Sequence, residues 1–188
     1  LLKENAPIDA PKAASILRNR KGVGEAELGL ANEMAINQFI AHHSVIFQPE
    51  KKRMWVSTAP WQCGKYVAYD LNRIFSDSID FNHEIYTENL TVPADSFLQQ
   101  QEYQQLMTYK RLAPVLRKQI KKKERLDEQT LHAFQHANPH FFYVYELLGD
   151  YYHATGQQDK ALRNWKKALL LPIPKRSESE RIEHKINN

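Results

Sequence analysis

Cysteine is nearly absent from this sequence, and its scarcity excludes several kinds of chemistry. Cys63 is the single cysteine among 188 residues, so the chain has no internal disulfide and no metal site built from several thiolates. Long apolar runs are missing as well, because no stretch approaches the roughly 18 residues that a membrane-spanning helix requires. We therefore expect a soluble protein with no membrane span.

The sequence motifs of several common catalytic sites are also lacking. No Gly-x-Ser-x-Gly nucleophile elbow and no His-Glu-x-x-His zinc helix occurs in the sequence. Gly22 and Gly24 are not followed by the lysine-serine pair or the third spaced glycine of a phosphate-binding loop. His132 and His136 stand four residues apart, a spacing that can bind a metal, but no carboxylate lies between them in the zinc-protease position. We expect neither a metal nor a cofactor.

Charge is concentrated in one stretch rather than spread along the chain. The formal net charge is +4, and the stretch from Lys110 to Arg125 holds eight basic residues against the single acidic Glu124. Such a stretch either forms a solvated helix face or binds nucleic acid or anionic lipid. No aromatic residue is interleaved with these charges to stack on bases, which favours the solvated face. We expect no nucleic-acid partner.

The stretch from Ala35 to Phe75 has the residue types of a β-sheet. It is rich in β-branched and aromatic residues, which suit a pleated, half-buried surface. The polar, proline-containing segment 48–52 separates two apolar runs, as the connection of a hairpin does. A third run, from Tyr66 to Leu71, follows Pro60 and Gly64. The pattern predicts a three-stranded antiparallel meander within residues 36–75.

Two strings in this stretch carry a resemblance to a known family. NQFIAHHSVIFQP (residues 37–49) and WVSTAPWQCGKYVAYDL (residues 55–71) are similar to the C-terminal sheet region of bacterial proteins related to acyl-coenzyme A:6-aminopenicillanic acid acyltransferase. These proteins are N-terminal nucleophile hydrolases, a group that includes choloylglycine hydrolases and acid amidases. The preceding ILRNRKGVGEAELGLANEMAINQ (residues 16–38) resembles the helix and loop that lead into those strands. The resemblance covers residues 1–75 and includes no catalytic signature.

The resemblance implies an amide hydrolase or acyltransferase whose catalytic residues lie outside this sequence. In that family the nucleophile is the first residue of the mature chain, because its own α-amino group serves as the base. Leu1 has no nucleophilic side chain, and Cys63 is internal, so neither is that nucleophile. The family's catalytic cysteine, its supporting aspartate and arginine, and its oxyanion asparagine are expected upstream. The chain begins without methionine, and we expect it to be a segment of a longer polypeptide.

Three residues of the predicted sheet region are candidates for lining a pocket. His42 and His43 are neighbours, so in a regular strand they point to opposite faces and cannot both bind one metal. One of them is then expected in the core and the other in solvent, or one lines a pocket, since its pKa lies near neutral pH. Trp61 follows Pro60 in a connection, where it either covers a pocket or caps the sheet edge.

A polar stretch from residue 76 to 93 separates the predicted sheet from a helical tail. Turn-forming residues such as Asp77 and Asp80 occupy it. Asp95 is typical of an N-cap for a helix running toward residue 125, and Pro114 is expected to kink or break that helix. Asp127 is expected to cap a shorter helix that ends near residue 137.

The strongest helical pattern lies near the C-terminus and resembles one tetratricopeptide unit over residues 142–174. One helix is expected from 138–139 to about residue 155, and a second from about 159 to 171, followed by a capping helix over 176–185. Gly149 and Ala161 are small where the two helices must touch, and Tyr152 and Trp165 are bulky residues around them. Repeats of this kind usually need about three copies to be stable, so either the helices over 95–137 act as degenerate neighbouring repeats or the unit packs on the sheet. The hairpin then serves as structural cover or binds a partner.

The sequence therefore predicts an α+β chain, with a partial hydrolase-like sheet region over residues 1–92 and a helical region over 93–188. The predicted function is the C-terminal portion of an amide (C–N) hydrolase or acyltransferase, inactive in isolation. The alternative is a non-catalytic interaction module that uses the tetratricopeptide-like hairpin to bind a protein. Since three strands leave one apolar face without a partner layer, we expect the sheet to pair with an upstream segment, with a second copy, or edge to edge with another chain. The compartment, bacterial cytoplasm or periplasm, is not determined.

Overall fold

The computed structural model describes residues 7–76, 82 and 84–187, which form two compact units. The sheet unit comprises residues 1–19 and 36–98, and the helical unit comprises residues 20–35 and 99–188. The described elements of the sheet unit are α1 (Ala10–Leu17), β1 (Val45–Gln48), β2 (Arg53–Ser57), β3 (Tyr66–Asp70) and α2 (Leu71–Ile74). Those of the helical unit are α3 (Gln101–Lys122), α4 (Glu128–Ala137), α5 (Phe142–Ala154), α6 (Gln158–Leu169) and α7 (Arg176–Asn187). The predicted α+β class is confirmed.

The sheet is an antiparallel meander in the order β1-β2-β3 among the described residues, as the sequence predicted. Val56 of β2 lies opposite Val45 of β1 on one side and Val67 of β3 on the other. The predicted hairpin connection is a 3-10 turn, Pro49–Lys51, followed by Lys52 in the left-handed region with φ of 49°. This turn directs the chain straight back into β2.

The sheet begins later than predicted. Residues 36–44 are irregular, and Phe39 has a φ of 53°. The side chain of Asn37 accepts a hydrogen bond from the Phe39 N–H at 3.0 Å, while the Asn37 N–H donates to the Asn19 carbonyl at 2.8 Å. Local bonds of this kind compete with a strand ladder. Phe39 is nevertheless fully buried. Its apolar side chain therefore indicated a core position and not a strand.

One face of the sheet carries the core of its unit. Trp55 and Ala68 lie side by side on β2 and β3, and α1 packs on them through Ala14. Asp9 caps α1 by accepting a hydrogen bond from the Lys12 N–H at 2.8 Å, which satisfies one of the unpaired donors at the start of the helix. The indole Nε1 of Trp55 donates to the Leu90 carbonyl at 2.8 Å. The core face is therefore fixed by both packing and hydrogen bonding.

The segment after β3 contributes to the sheet edge as well as forming a boundary. Tyr66 pairs with Val92 and Tyr69 pairs with Tyr86 through isolated antiparallel bridges. Part of the predicted boundary region thus runs beside β3. Asp77 and Asp80, which we expected in turns, lie outside the described residues.

The long helix α3 corrects two predictions. It runs through Pro114 as one continuous helix, so the proline, which was expected to kink or break the helix because it removes a backbone donor, does not break it. Pro114 is exposed, so its ring meets solvent and not a packed neighbour. Asp95 does not cap this helix. Its carboxylate accepts a hydrogen bond from the Phe97 N–H at 2.9 Å in the preceding 3-10 turn, and Gln100 occupies the N-cap position of α3.

The helices α5 and α6 form a hairpin where the sequence predicted one, but the first helix begins later than the expected start at 138–139: Asn138 is the C-cap of α4 and Phe141 is the N-cap of α5. Gly156 makes the turn between them with φ of 77°, a conformation that glycine adopts readily. Asp127 caps α4 as expected, since its carboxylate accepts from the Thr130 N–H at 2.7 Å. The last helix, α7, follows where a capping helix was predicted.

Residues 20–35 belong to the helical unit, although sequence reasoning assigned them to the sheet region. The Asn138 side chain exchanges two hydrogen bonds with the backbone of Leu30, at 2.9 and 2.7 Å. The buried Asn32 amide donates to the carbonyl of Pro172 at 3.1 Å. Gly29, with φ of 77°, lies against Phe141 so closely that a β-carbon there would overlap the Phe141 backbone. These contacts join the segment to helices far along the chain.

Candidate functional site

The structure places the three candidate pocket residues at the end of the sheet where β1 begins. His42 and His43 are both exposed and precede β1 in irregular chain, so the expectation that a strand would bury one of them is wrong. Trp61 has a φ of 50° and is partly buried. Its ring lies edge-on to that of Phe39, with centroids 5.7 Å apart. Trp61 therefore covers a core aromatic ring.

Cys63 is a packed core residue. It is fully buried, and its Sγ accepts a hydrogen bond from the Asn37 amide at 3.4 Å. The Cys63 N–H donates to the Pro60 carbonyl at 3.0 Å, and its carbonyl accepts from the Asp95 N–H at 2.8 Å. A reactive thiol needs access and a nearby positive charge or base. This thiol instead helps to hold the connection before β3.

Arg18, which lies more than 40 residues earlier in the sequence, holds the same connection through hydrogen bonds. Its guanidinium donates to the carbonyls of Gln62 at 3.2 Å, Gly64 at 2.7 Å and Pro93 at 2.8 Å. It also lies over the ring of Tyr66, 5.2 Å from the centroid. Sequence reasoning missed this residue because nothing local marks it: its partners are backbone carbonyls that only the fold brings together.

Side-chain hydroxyl groups attach the start of β1 to β2 and β3 by hydrogen bonds. The Ser44 N–H donates to the Ser57 hydroxyl at 2.7 Å, and the Ser44 hydroxyl makes a short hydrogen bond with the Tyr66 hydroxyl. Burial raises the pKa of Tyr66, while the Ser44 hydrogen bond and the Arg18 charge act in the opposite direction. Tyr66 is therefore neutral at physiological pH and cannot act there as a general base.

The face of the sheet opposite the core is apolar and partly exposed. We call it the open face; its residues alternate with those of the core face and are Val45, Phe47, Met54, Val56, Val67 and Tyr69. Phe47 is 66% exposed, and the other side chains are intermediate between buried and exposed. A soluble protein normally buries each apolar face of a sheet against another layer. The open face is thus the main candidate for a contact surface in this unit.

The helical unit contains an ionic cluster between α5 and α7, built around one buried carboxylate. Glu146 is 2% exposed, and its carboxylate accepts hydrogen bonds from Arg181 at 2.8 Å on both oxygens and from Lys185 at 2.7 Å. Lys185 also donates to Asp150 at 2.8 Å, and Asp150 accepts from the Trp165 indole at 3.0 Å. Burial acts to raise the pKa of Glu146, but the bonds from Arg181 and Lys185 outweigh it and lower the pKa.

The paired histidines and the basic residues of the helical unit form no further binding site among the residues that the structure describes. His132 and His136 stack with ring centroids 3.8 Å apart, and the His136 Nδ1 lies 2.9 Å from the His132 carbonyl. Among the described residues, no group of at least three His, Cys, Asp or Glu side chains could hold a metal ion. The basic side chains at the end of α3, such as Lys118 and Lys122, are exposed and form a solvated helix face.

No family model, curated protein or solved structure matches the chain. Of the helices that the structure describes, none has both the length and the apolar character needed to cross a bilayer.

Proposed function

We propose that this chain is the C-terminal part of an amide hydrolase or acyltransferase of the N-terminal nucleophile type, and that it supplies a sheet layer and no catalytic residue. The observation that carries the proposal is the asymmetry of the sheet. Helix α1 packs on the core face, while the open face remains partly exposed. In the enzymes that the sequence resembles, two facing sheets are covered by helices on their outer sides. The core face corresponds to such an outer side, and the open face to an inner one.

The composition of the open face supports this assignment. Its central row consists of Val45, Val56 and Val67, which lie side by side across the three strands. β-Branched residues facing a second sheet are typical of the cores of two-layered β-structures. Strand β1 is also at the edge of the meander, so its outer backbone groups are placed to pair with a further strand. The covering layer is expected to come from an upstream segment of the same polypeptide.

The surroundings of Cys63 are consistent with a catalytic nucleophile located elsewhere. An N-terminal nucleophile needs a free α-amino group beside it to accept its proton. The backbone nitrogen of Cys63 is an amide that donates to the Pro60 carbonyl, and its thiol is buried. This residue therefore cannot attack a substrate amide by the family's mechanism.

Two measurements test the proposal. First, the 188-residue protein is incubated with a penicillin and with an N-acyl amino acid, and released amine is measured; we expect no turnover, with or without the Cys63→Ala substitution. Second, the complete gene product is purified from its native cells, and its mature N-terminus and activity are determined. We expect a cysteine, serine or threonine at that N-terminus and hydrolysis of an acyl amide. Turnover by the 188-residue protein that Cys63→Ala abolishes would refute the proposal, as would a complete gene product without such an N-terminal residue.

The alternative is an interaction module that binds a partner through the α5–α6 hairpin. The ionic cluster favours a structural role for the hairpin over partner binding, because Arg181 and Lys185 of α7 already pair with the carboxylates of α5. Further repeats in the complete gene product, flanking residues 142–174, would favour the module.

A further inference from the structure

A cavity of about 540 Å³ lies at the hairpin end of the sheet unit. It is bounded by the end of β1, the β1–β2 turn, the start of β2 and helix α2, and the residues that matter here are Phe47, Lys52, Arg53, Asn72 and Phe75. Its volume is in the range of small-molecule sites, which are mostly apolar with a few placed polar groups. None of the residues predicted to line a pocket takes part in it.

Two aromatic rings form the apolar part of the cavity. Phe47 is 66% exposed and Phe75 is 81% exposed. Leu71 also lines the cavity and is partly buried. Phenylalanine rings left this exposed lose the stabilisation that burial of their surface would give. A flat apolar ligand that covers both rings would recover it.

The polar part of the cavity is cationic. Lys52 is exposed on the turn. The Nε atom of Arg53 is buried and makes no hydrogen bond within the described residues. The nearest carboxylate, Asp70, places its Oδ2 atom 3.9 Å from that Nε, and its Oδ1 atom already accepts from the Asn72 N–H at 3.0 Å. Arg53 lines the cavity, and at this distance Asp70 offsets its positive charge only in part.

The charges that line the cavity define the charge of that ligand. Lys52 and Arg53 line the cavity and contribute two positive charges. Asp70 lies outside the lining and pairs with Arg53, while the neighbouring Glu50 and Lys51 of the turn offset each other. A single negative charge on the ligand would neutralise the site. A carboxylate suits it, because a guanidinium and an ammonium group both donate charge-assisted hydrogen bonds to carboxylate oxygens.

We propose that this cavity binds a small aromatic carboxylate, with its ring between Phe47 and Phe75 and its carboxylate at Lys52 and Arg53. The proposal does not rest on the proposed function. The cavity shares Phe47 with the open face, but the central valine row lies toward the other end of the strands, so shift changes at the two ends distinguish the two surfaces.

The experiment titrates 2-naphthoate into the 188-residue protein and follows backbone amide shifts by NMR. We expect saturable binding with a Kd of about a millimolar or tighter, as is usual for a ligand of this size. The shift changes should cluster in residues 47–53 and 71–75. The neutral isostere 2-naphthamide is titrated in parallel and should bind at least about fivefold more weakly, because it lacks the charge that Lys52 and Arg53 recognise.

Matched variants identify the groups responsible. Lys52→Gln should weaken binding of 2-naphthoate by about threefold to tenfold and leave binding of 2-naphthamide unchanged. Lys51→Gln, which removes the adjacent exposed charge outside the cavity lining, should have little effect. Phe75→Ala should weaken both ligands. Equal affinity for the two ligands, insensitivity to Lys52→Gln, shift changes centred on Val56 and Val67, or no saturation at accessible concentrations would each overturn the proposal.

Discussion

The backbone of Gly149 lies directly against the indole ring of Trp165. A β-carbon at residue 149 would overlap the Cδ1 and Nε1 atoms of that ring. The indole is 2% exposed and is also held by its hydrogen bond to Asp150 on α5. The ring therefore cannot shift without losing a polar contact, and α5 and α6 approach each other as closely as they do because residue 149 has no side chain.

Gly149→Ala should therefore destabilise the helical unit although alanine favours helices. We expect the free energy of unfolding to fall by about 1–3 kcal/mol, the usual effect of overpacking a core. Urea denaturation followed by circular dichroism at 222 nm measures the change. Gly156→Asn serves as the control, because a β-carbon there meets open space and asparagine tolerates the left-handed conformation. Equal stability of the Gly149→Ala variant and the unsubstituted protein would contradict the close approach.

Replacing Pro114 should stabilise α3. The helix continues through this exposed proline, which removes one backbone hydrogen bond and crowds the preceding turn. Pro114→Ala restores the donor, and we expect a gain of about 1–3 kcal/mol in the free energy of unfolding, within the roughly 3 kcal/mol that separates the two residues in a helix interior. Val115→Ala, at the exposed neighbouring position, should change stability by less than about 0.7 kcal/mol. A loss of stability in Pro114→Ala would show that the proline ring makes a needed contact.

Glu146→Gln should weaken the contact between α5 and α7. It removes the negative charge that accepts hydrogen bonds from Arg181 and Lys185, and a hydrogen bond to a charged group contributes about 1.5–3 kcal/mol. Because both cations are partly exposed and can be solvated, we expect a loss of about 1–3 kcal/mol at pH 7. Glu180→Gln, which breaks an exposed pair with Arg176, should cost less than about 0.5 kcal/mol.

The same residue gives stability a defined pH dependence. The pKa of Glu146 is lowered in the folded protein relative to its ordinary value of 4.5, so its contribution is complete above that value and is lost as the pH falls through the folded pKa. Urea midpoints measured between pH 7 and pH 3 should show the difference between the unsubstituted protein and Glu146→Gln shrinking in the acid range. A constant difference would argue against the lowered pKa.

Neighbouring residues on β3 distinguish the two faces of the sheet. Val67 belongs to the open face, whereas Ala68 is 1% exposed on the core face. Val67→Lys should leave the fold intact and reduce both self-association in light scattering and binding of a hydrophobic dye, because the exposed apolar area falls. Ala68→Lys should unfold the sheet unit, since it buries an unpaired charge, and Trp55 fluorescence should report the loss. A monomeric unsubstituted protein that binds no dye would show that the open face needs no covering layer.

The sequence predicted the elements whose signals are local. The hairpin turn at 48–52 and the cap at Asp127 depend on residues close in the chain, and the small residue at Gly149 depends on the spacing within two consecutive helices; the structure has all three. Predictions for Phe39 and Asp95 were wrong for a related reason. Their residue types fit a strand and a helix cap, but nearby polar groups offered alternative hydrogen bonds that residue types alone do not reveal.

The features of the candidate sites depend on residues far apart in sequence. Arg18 donates hydrogen bonds to carbonyls as distant in sequence as that of Pro93. The cavity is lined by both Phe47 and Phe75, which are also far apart in sequence. Such residues form no sequence motif, because a single arginine or phenylalanine can occur at almost any position of a sequence. The exposure of both aromatic rings marks the cavity, and exposure cannot be read from one sequence.

The path of residues 20–35 determines which parts of this protein can be expressed separately. The chain leaves the sheet unit after residue 19 and returns to it at residue 36. A truncated protein that starts at residue 99 would therefore lack the Leu30 backbone, and the Asn138 amide and carbonyl oxygen would be left without the partners they have here. Independent expression of the helices requires residues 20–35 as a separate peptide or a circular permutation that joins them to the C-terminus. Limited proteolysis within 20–35 should accordingly loosen the helices before it affects the sheet.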